Sequence, residues 1–216
     1  QKTKLVMKSI YLGPKYDLSN ISGESVTPKQ VASLLAYGEK HLDQDKFYSG
    51  DERKVIAIFQ GRSEAGPRAL GNRSILYDPR DHMGKDRVNK IKHREAFRPF
   101  AGTVLKEHAN KYFDMAGLDE SPFMTFAVDM REDWVDNLPA INHVDNTCRV
   151  QTVTREQNQH FYDLITEFEK ITSLPILLNT SFNLAGEPMV ETPEDAIRTL
   201  ENSELDYIYF PEIGIL

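Results

Sequence analysis

Three arginines set between turn-forming glycines make residues 61–74 the part of this sequence best suited to chemistry. Arg62, Arg68 and Arg73 occur in the stretch GRSEAGPRALGNRS, directly after an apolar run. Small residues let backbone N–H groups approach an anion, and a guanidinium fork binds phosphoryl oxygens at any working pH. The stretch therefore predicts a phosphate pocket, although arginine-glycine turns also occur on ordinary surfaces. Its spacing matches neither the dinucleotide-binding glycine pattern nor the Walker pattern.

A second basic element, residues 89–100 (NKIKHREAFRPF), joins a predicted helix to a predicted strand. In an extended chain Lys92 and Arg94 point the same way. A lysine supplies a point charge and an arginine a fork, which together suit a phosphate or a small anionic carbonyl compound. The alternative is an ordinary surface Lys-x-Arg sequence.

Two polar segments complete the candidate site. Residues 178–188 (LNTSFNLAGEP) form a polar turn after a buried strand, and residues 143–152 (HVDNTCRVQT) place His143, Thr147 and Arg149 in one loop before a strand. Asparagine and serine side chains there can contact a nucleotide, or they can cap the turn locally.

The charge distribution favours a compact polyanionic ligand over a nucleic acid. The net charge is −7, but residues 61–100 hold ten Lys or Arg against five acids, a local charge of +5. A local basic cluster in an acidic protein indicates capture of a small anion at one place. The alternative is a solvated basic face.

No covalent or metal catalyst is evident in the sequence. The six histidines show no helical metal-ligand pair, and Cys148 is the only cysteine, so neither a disulfide framework nor a thiolate metal cage can form. We therefore expect no metal ligands in this chain, and a site that acts by positioning and by stabilising phosphoryl charge. The single cysteine fits a reducing cytoplasm. No apolar run is long enough to span a bilayer, and we expect no membrane partner.

The elements that position these residues follow from periodicity and end signals. A buried strand at 55–59 leads into the arginine-glycine loop, which is where open α/β sheets place ligands. Further strands are predicted at 73–77, 98–105, 123–130, 149–153, 174–178 and 207–210. Helices are predicted at 28–42, 83–92, from the Thr154 capping box through Ile171, and 193–200. Residues 114–147 are expected to form a long irregular insertion. The class is α/β in one domain, residues 1–216.

Four ordered blocks of the sequence resemble the C-terminal domain of the nodulation-type and antibiotic O-carbamoyltransferases. They are residues 61–79, 88–100, 143–153 and 179–188, and the resemblance covers roughly residues 10–216. One departure is Asn146, where the family usually has glycine, although asparagine tolerates a left-handed backbone better than most residues.

The resemblance implies a YrdC-like open twisted mixed sheet with flanking helices. It further implies a domain that binds ATP, with Mg²⁺ on the nucleotide, and carbamoyl phosphate, and that forms carbamoyl adenylate. In the family a Kae1-like N-terminal domain with a metal site then transfers the carbamoyl group to a hydroxyl. That domain is not in this sequence, and Gln1 in place of methionine leads us to expect a piece of a longer chain. The sequence does not specify the acceptor of the carbamoyl group, and it is compatible with a homodimer.

The resemblance also assigns residues, by match to the family's motifs. Lys92, Arg94 and Arg98 are expected to bind carbamoyl phosphate in the catalytic role. The expected nucleotide and phosphate ligands are Arg62, Arg68, Arg73, Ser74, His143, Thr147, Arg149, Asn179, Ser181 and Asn183. An alternative of another class is a YrdC-like module that binds double-stranded RNA, which would need many phosphate contacts and a steep salt dependence. The net acidity and the narrow placement of the cations favour the enzyme.

Overall fold

The structure, a computed structural model, describes residues 9–39 and 53–216. In chain order the strands are β1 (Ile56–Phe59), β2 (Arg73–Tyr77), β3 (Ala101–Leu105), β4 (Phe113–Asp114), β5 (Ala127–Met130), β6 (Thr147–Val153), β7 (Ile176–Ser181) and β8 (Tyr207–Tyr209). The helices are α1 (Pro28–Tyr37), α2 (Gly84–Ile91), α3 (Ala109–Tyr112), α4 (Glu132–Val135), α5 (Gln159–Thr172) and α6 (Pro193–Glu201).

All eight described strands form one sheet in the order β4-β5-β6-β3-β7-β2-β1-β8. The pairs β1/β8 and β3/β6 are parallel, and the remaining neighbours are antiparallel. The sheet is therefore mixed and open, and the predicted α/β class is confirmed.

The central strands are covered on both faces. Every residue of β1, β2 and β3 is buried, as the apolar run at 55–59 without alternation predicts. The 14-residue α5 buries Phe161, Leu164, Ile165 and Phe168 and packs against α1. The sheet and its helices thus hold the loops that follow β1, α2 and β7 in fixed positions.

Two predicted strands begin three or four residues later than expected, for local reasons. The strand predicted at 98–105 begins at Ala101, because Pro99 has no N–H to donate and Arg98 N–H instead donates to the Glu95 carbonyl at 3.2 Å. The strand predicted at 123–130 begins at Ala127, because Met124 adopts a left-handed backbone with φ 54°.

Helix ends also differ from the predictions. The Thr154 capping box forms, with Thr154 N–H donating to Gln157 Oε1 at 3.0 Å, but it closes a turn. The helix α5 begins after it, with Asn158 as N-cap. The helix predicted at 28–42 ends at Tyr37, followed by Gly38 with φ 82°, and residues 40–42 lie outside the described residues. The expected insertion at 114–147 is less irregular than predicted, since it contributes β5 and α4.

Gly71, in the loop that follows β1, provides a stability prediction. Its φ is +105°, and a Cβ there would lie 2.3 Å from Cδ1 of Phe161 on α5. Gly117 has a similar φ of +79° but nothing within 4 Å, so Gly117→Ala isolates the backbone strain. We expect Gly71→Ala to cost about 1 to 3 kcal/mol more in the free energy of unfolding than Gly117→Ala, because the ring must move. Urea denaturation of both variants measures the difference, and equal losses would contradict the close packing.

Candidate active site

Lys92 brings the second basic element and the polar turn after β7 into contact. It follows the last turn of α2, its N–H bonds to the Val88 carbonyl, and its side chain is only 2% exposed. Its Nζ donates to the backbone carbonyl of Ser181, to the carbonyl of Asn183 at 2.9 Å and to Asn183 Oδ1 at 3.0 Å. Ser181 Oγ lies 3.4 Å away. Lys92 and Ser181, which are 89 residues apart in the sequence, thus belong to one site.

Burial, and next the nearby Arg94, lower the pKa of Lys92 to about 7. The acceptors of its ammonium are neutral oxygens, so no carboxylate compensates for the lost hydration. An anion placed beside Nζ would supply the missing charge and stabilise the protonated form.

Arg94 is oriented by two neighbours and keeps one donor unused. Its Nε donates to Asn89 Oδ1 at 2.5 Å, and its guanidinium carbon lies 4.5 Å from the centre of the Phe100 ring. Its Nη2 is buried and has no hydrogen-bond partner. Burial, followed by the charges of Arg98 and Arg149, lowers the pKa of Arg94 to about 10.

Arg149 and Arg68 extend this positive charge toward the arginine-glycine loop. Arg149 lies on β6, half-buried, and its buried Nε has no partner. Burial and then the charge of Arg68 lower the pKa of Arg149. We call Lys92, Arg94, Arg149 and Arg68 the cation cluster. An anion placed among these cations could accept from the unused donors and offset the mutual repulsion of the charges.

A cavity of about 860 Å³ is lined by two members of the cluster, Lys92 and Arg94, and we call it the Lys92 cavity. Its lining residues are Lys90, Lys92, His93, Arg94, Glu95, Arg98, Ser181, Asn183, Leu184, Ala185 and Gly186. Arg98 is exposed and forms an ion pair with Glu95 at 2.7 Å. The predicted residues Lys92, Arg94, Arg98, Ser181 and Asn183 therefore share one wall.

Glu64, which the sequence analysis did not single out, shapes the arginine-glycine loop. One oxygen of its buried carboxylate accepts from the backbone N–H groups of Leu70 at 2.7 Å, Asn72 at 2.9 Å and Arg73 at 3.3 Å. Burial raises its pKa. Gln151 on β6 also donates to the Leu70 carbonyl at 3.0 Å. An acid inside a glycine-rich loop is the signal that could have indicated Glu64 in advance.

Three of the predicted nucleotide ligands form hydrogen bonds within the protein: Arg73, Ser74 and Asn179. Arg73 is fully buried and donates to the carbonyls of Gln60, Gly61, Asn72 and Glu191. Ser74 Oγ accepts from Gly71 N–H at 2.9 Å. Asn179 Nδ2 donates to Thr103, Gln151 and the Ala69 carbonyl. Their role as nucleotide ligands stays a prediction.

The loop 143–147 is held against the entry to β3. His143 Nε2 lies 3.0 Å from the Phe100 carbonyl and Nδ1 lies 3.2 Å from Thr147 Oγ1. Asn146 has φ 61°, the left-handed backbone that asparagine tolerates. The loop thus fixes the chain at Phe100, whose ring packs on Arg94.

Arg62 lies apart from the described lining of the Lys92 cavity. It is exposed and donates to the Gly13 carbonyl at 2.9 Å.

Among residues 9–39 and 53–216 no group of three metal-ligating side chains is found. In the same ranges no helix is long and apolar enough to cross a membrane.

Comparison with known proteins gives a family match over most of the chain. The family described as "Carbamoyltransferase C-terminus" matches residues 51–215. The nodulation protein NolO of Bradyrhizobium diazoefficiens is 53% identical over 154 residues, covering 70% of this chain and 28% of that protein. Nodulation protein U of Azorhizobium caulinodans is 37% identical over 182 residues, covering 82% of this chain and 30% of that protein. The chain thus spans under a third of the length of these two relatives.

Two solved structures share the fold. Full-length HypF, in its phosphate- and nucleotide-bound form, is 18% identical with a TM-score of 0.56, covering 88% of this chain and 25% of that one. Sua5 of P. abyssi, complexed with L-threonine, is 13% identical with a TM-score of 0.55, covering 86% and 47%. At these identities the likeness concerns fold alone, and it confirms the predicted YrdC-like sheet.

Proposed function

The chain belongs to the carbamoyltransferase C-terminal family, and on that premise we propose that it binds carbamoyl phosphate at the Lys92 cavity and ATP beside it, and forms carbamoyl adenylate. The observation that carries the proposal is the cation cluster itself. Lys92 and Arg94 bond only to neutral oxygens among the contacts described, and buried donors of Arg94 and Arg149 have no partner. Desolvated cations with unused donors are stabilised by an anion of complementary size.

We propose that the reaction proceeds in two steps, each balanced in atoms and charge. Carbamoyl phosphate and water give carbamate and phosphate, and carbamate then displaces pyrophosphate from ATP to give carbamoyl adenylate. Both steps move charge on phosphoryl oxygens. Lys92 and Arg94 hold the anionic end of carbamoyl phosphate in this scheme, and Ser181 and Asn183 orient Lys92. Catalysis by such groups comes from positioning and from electrostatic stabilisation of the transition state.

The nucleotide is proposed to lie across Arg149 and Arg68, beside the Lys92 cavity. The relative named HypF was solved with nucleotide and phosphate bound, which supports a nucleotide in this fold. Glu95 is the one acid among the described cavity-lining residues, and it bonds to Arg98. Magnesium therefore fits best as an ion carried in on the phosphate oxygens of ATP, where it would shield their charge.

Transfer of the carbamoyl group is proposed to need a further domain. In this scheme a Kae1-like N-terminal domain of the same parent chain takes the adenylate and passes its carbamoyl group to a hydroxyl acceptor. The single cysteine fits a reducing compartment, so we place the reaction in the cytoplasm.

Calorimetry separates the enzyme from an RNA-binding module. We expect saturable heat on titration of the protein with magnesium ATP, and no comparable heat with a duplex RNA of about 16 base pairs at physiological salt. The variant Arg149→Ala should weaken ATP binding. The control is Arg155→Ala, which should not, because Arg155 is exposed and follows the end of β6 in the sequence. Tight duplex binding without ATP heat would overturn the proposal.

Binding of carbamoyl phosphate at pH 8 should take up a proton. Lys92 has its pKa lowered to about 7, so most molecules carry a neutral amine at pH 8. A bound phosphate dianion raises that pKa, and the amine is protonated as the ligand binds. The affinity should therefore fall as pH rises above 7. Titrations in buffers of different ionisation enthalpy measure the uptake, and Lys92→Met should abolish it. An uptake that persists in Lys92→Met would assign the proton to another group.

A further inference from the structure

Asn89 is a fully buried side chain of α2 that touches three parts of the loop beside the Lys92 cavity. Its Oδ1 accepts from Arg94 Nε at 2.5 Å. Its Nδ2 donates to the carbonyls of Ala96 and Arg98, both at 3.1 Å. Its backbone carbonyl also accepts from the N–H of Arg94 at 3.0 Å. One residue thus holds the chain from residue 94 to residue 98.

The chemistry of these partners requires an amide. Arg94 Nε can only donate, and the two carbonyls can only accept, so the side chain at position 89 must carry both an acceptor and two donors. A carboxylate has the shape but no donor, and it would face two carbonyl oxygens. A leucine has the volume but no polar atom. Asparagine satisfies all three partners at this position.

The amide also leaves Arg94 without a carboxylate bonded to its Nε. A carboxylate at position 89 would form an ion pair with the guanidinium and cancel the positive charge that an anion has to meet. With a neutral acceptor on Nε and the Phe100 ring on one face, the buried Nη2 stays without a partner. The orientation of Arg94 is therefore fixed without loss of its charge.

We propose that Asn89 is a positioning residue for anion binding, which fixes the Arg94 guanidinium and the loop that carries Arg98 while leaving the charge of Arg94 available to the ligand. The inference rests on the proposed function, because its ligand is carbamoyl phosphate. Asn89 acts through Arg94 and does not itself contact the substrate.

The first test compares Asn89→Asp with Asn202→Asp in carbamoyl phosphate titrations. Asn202 is an exposed asparagine after α6 whose Nδ2 donates to the Arg198 carbonyl at 2.8 Å, so the control makes the same chemical change away from the cavity. We expect Asn89→Asp to weaken binding by about tenfold to a hundredfold, because the new carboxylate pairs with Arg94 and cancels the charge that the anionic ligand has to meet. The control should bind as the wild type does. Unchanged binding in Asn89→Asp, measured below its melting temperature, would overturn the inference.

A double-mutant cycle with Arg94→Ala shows whether Asn89 acts through Arg94. If it does, Asn89→Asp adds little further loss of affinity in the Arg94→Ala background, since the group it positions is gone. Losses that multiply in full would assign Asn89 a general structural role and overturn the inference. Wild-type protein that binds neither carbamoyl phosphate nor ATP would defeat the proposed function first, and this inference with it.

Hydrogen exchange measured by NMR on the wild-type protein tests the inference without any variant of Asn89. The Arg94 Nε–H resonance, identified by its loss in Arg94→Lys, should exchange with solvent much more slowly than that of Arg155, which is 59% exposed. Exchange of Arg94 Nε–H as fast as that of Arg155 would show that the bond to Asn89 does not hold in solution, and would overturn the inference.

Discussion

Replacing Lys92 or Arg94 with alanine is expected to abolish pyrophosphate release that depends on carbamoyl phosphate. Each change deletes a charge-assisted contact worth about 1.5 to 3 kcal/mol, or roughly ten- to a hundredfold in binding, and more where the charge develops in the transition state. Lys92 is buried, so Lys92→Met, which keeps the length of the side chain without its charge, separates the loss of charge from a packing defect. A coupled pyrophosphate assay measures the rates.

The matched control is Lys170→Ala. Lys170 lies on α5, is 64% exposed and pairs with Glu167, so its removal should leave the rate unchanged. Circular dichroism and melting curves establish that each variant is folded. Wild-type turnover in both Lys92→Met and Arg94→Ala would make these residues ordinary cations and end the assignment of the site.

Arg73→Met is expected to cost about 4 kcal/mol or more in the free energy of unfolding. The guanidinium donates to four backbone carbonyls and lies 3.6 Å over the Phe59 ring, and the residue is fully buried. Each carbonyl left without a donor costs about 1 to 3 kcal/mol where water cannot reach it. This is a large share of the roughly 5 to 15 kcal/mol that stabilises a typical domain. Urea denaturation of Arg73→Met and of wild type measures the loss.

Arg155→Met serves as the control for Arg73→Met, because Arg155 is exposed and its ion pair with Asp163 should contribute less than about 1 kcal/mol. The same pair of variants tests the other assignment of Arg73. If Arg73→Met keeps wild-type stability but loses ATP affinity, Arg73 is a phosphate ligand, as the spacing in residues 61–74 predicts.

The fold was predictable from sequence where local signals act alone. The apolar run at 55–59 became β1, since a strand buried on both faces needs apolar residues at successive positions, and the segment 73–77 became β2. Boundaries failed where one residue's backbone decided the outcome. The strand β3 begins only after Pro99, and β5 begins only after the left-handed residue Met124. The N-cap of α5 is Asn158, although the capping box predicted the start of the helix at Thr154.

The site was predictable to the level of residue types. Local sequence marks Lys92 as a cation between a helix and a strand, and Ser181 and Asn183 as polar groups in a turn after a strand, and the family resemblance joined them in one pocket. Asn89 and Glu64 were missed, because their importance lies in what they hold. The buried amide of Asn89 has no signature in spacing, and only the tertiary structure shows its partners, whereas the position of Glu64 inside a glycine-rich loop was a usable signal.

The most direct test of the account is the product formed from ATP and carbamoyl phosphate by this protein. Incubation with magnesium, ATP and carbamoyl phosphate, followed by rapid quenching and mass spectrometry, should show carbamoyl adenylate together with pyrophosphate and phosphate. Omitting carbamoyl phosphate should remove both the adenylate and the pyrophosphate, and Lys92→Met should do the same. Pyrophosphate release from ATP alone at the full rate, or no adenylate from protein shown to bind both substrates, would contradict the account.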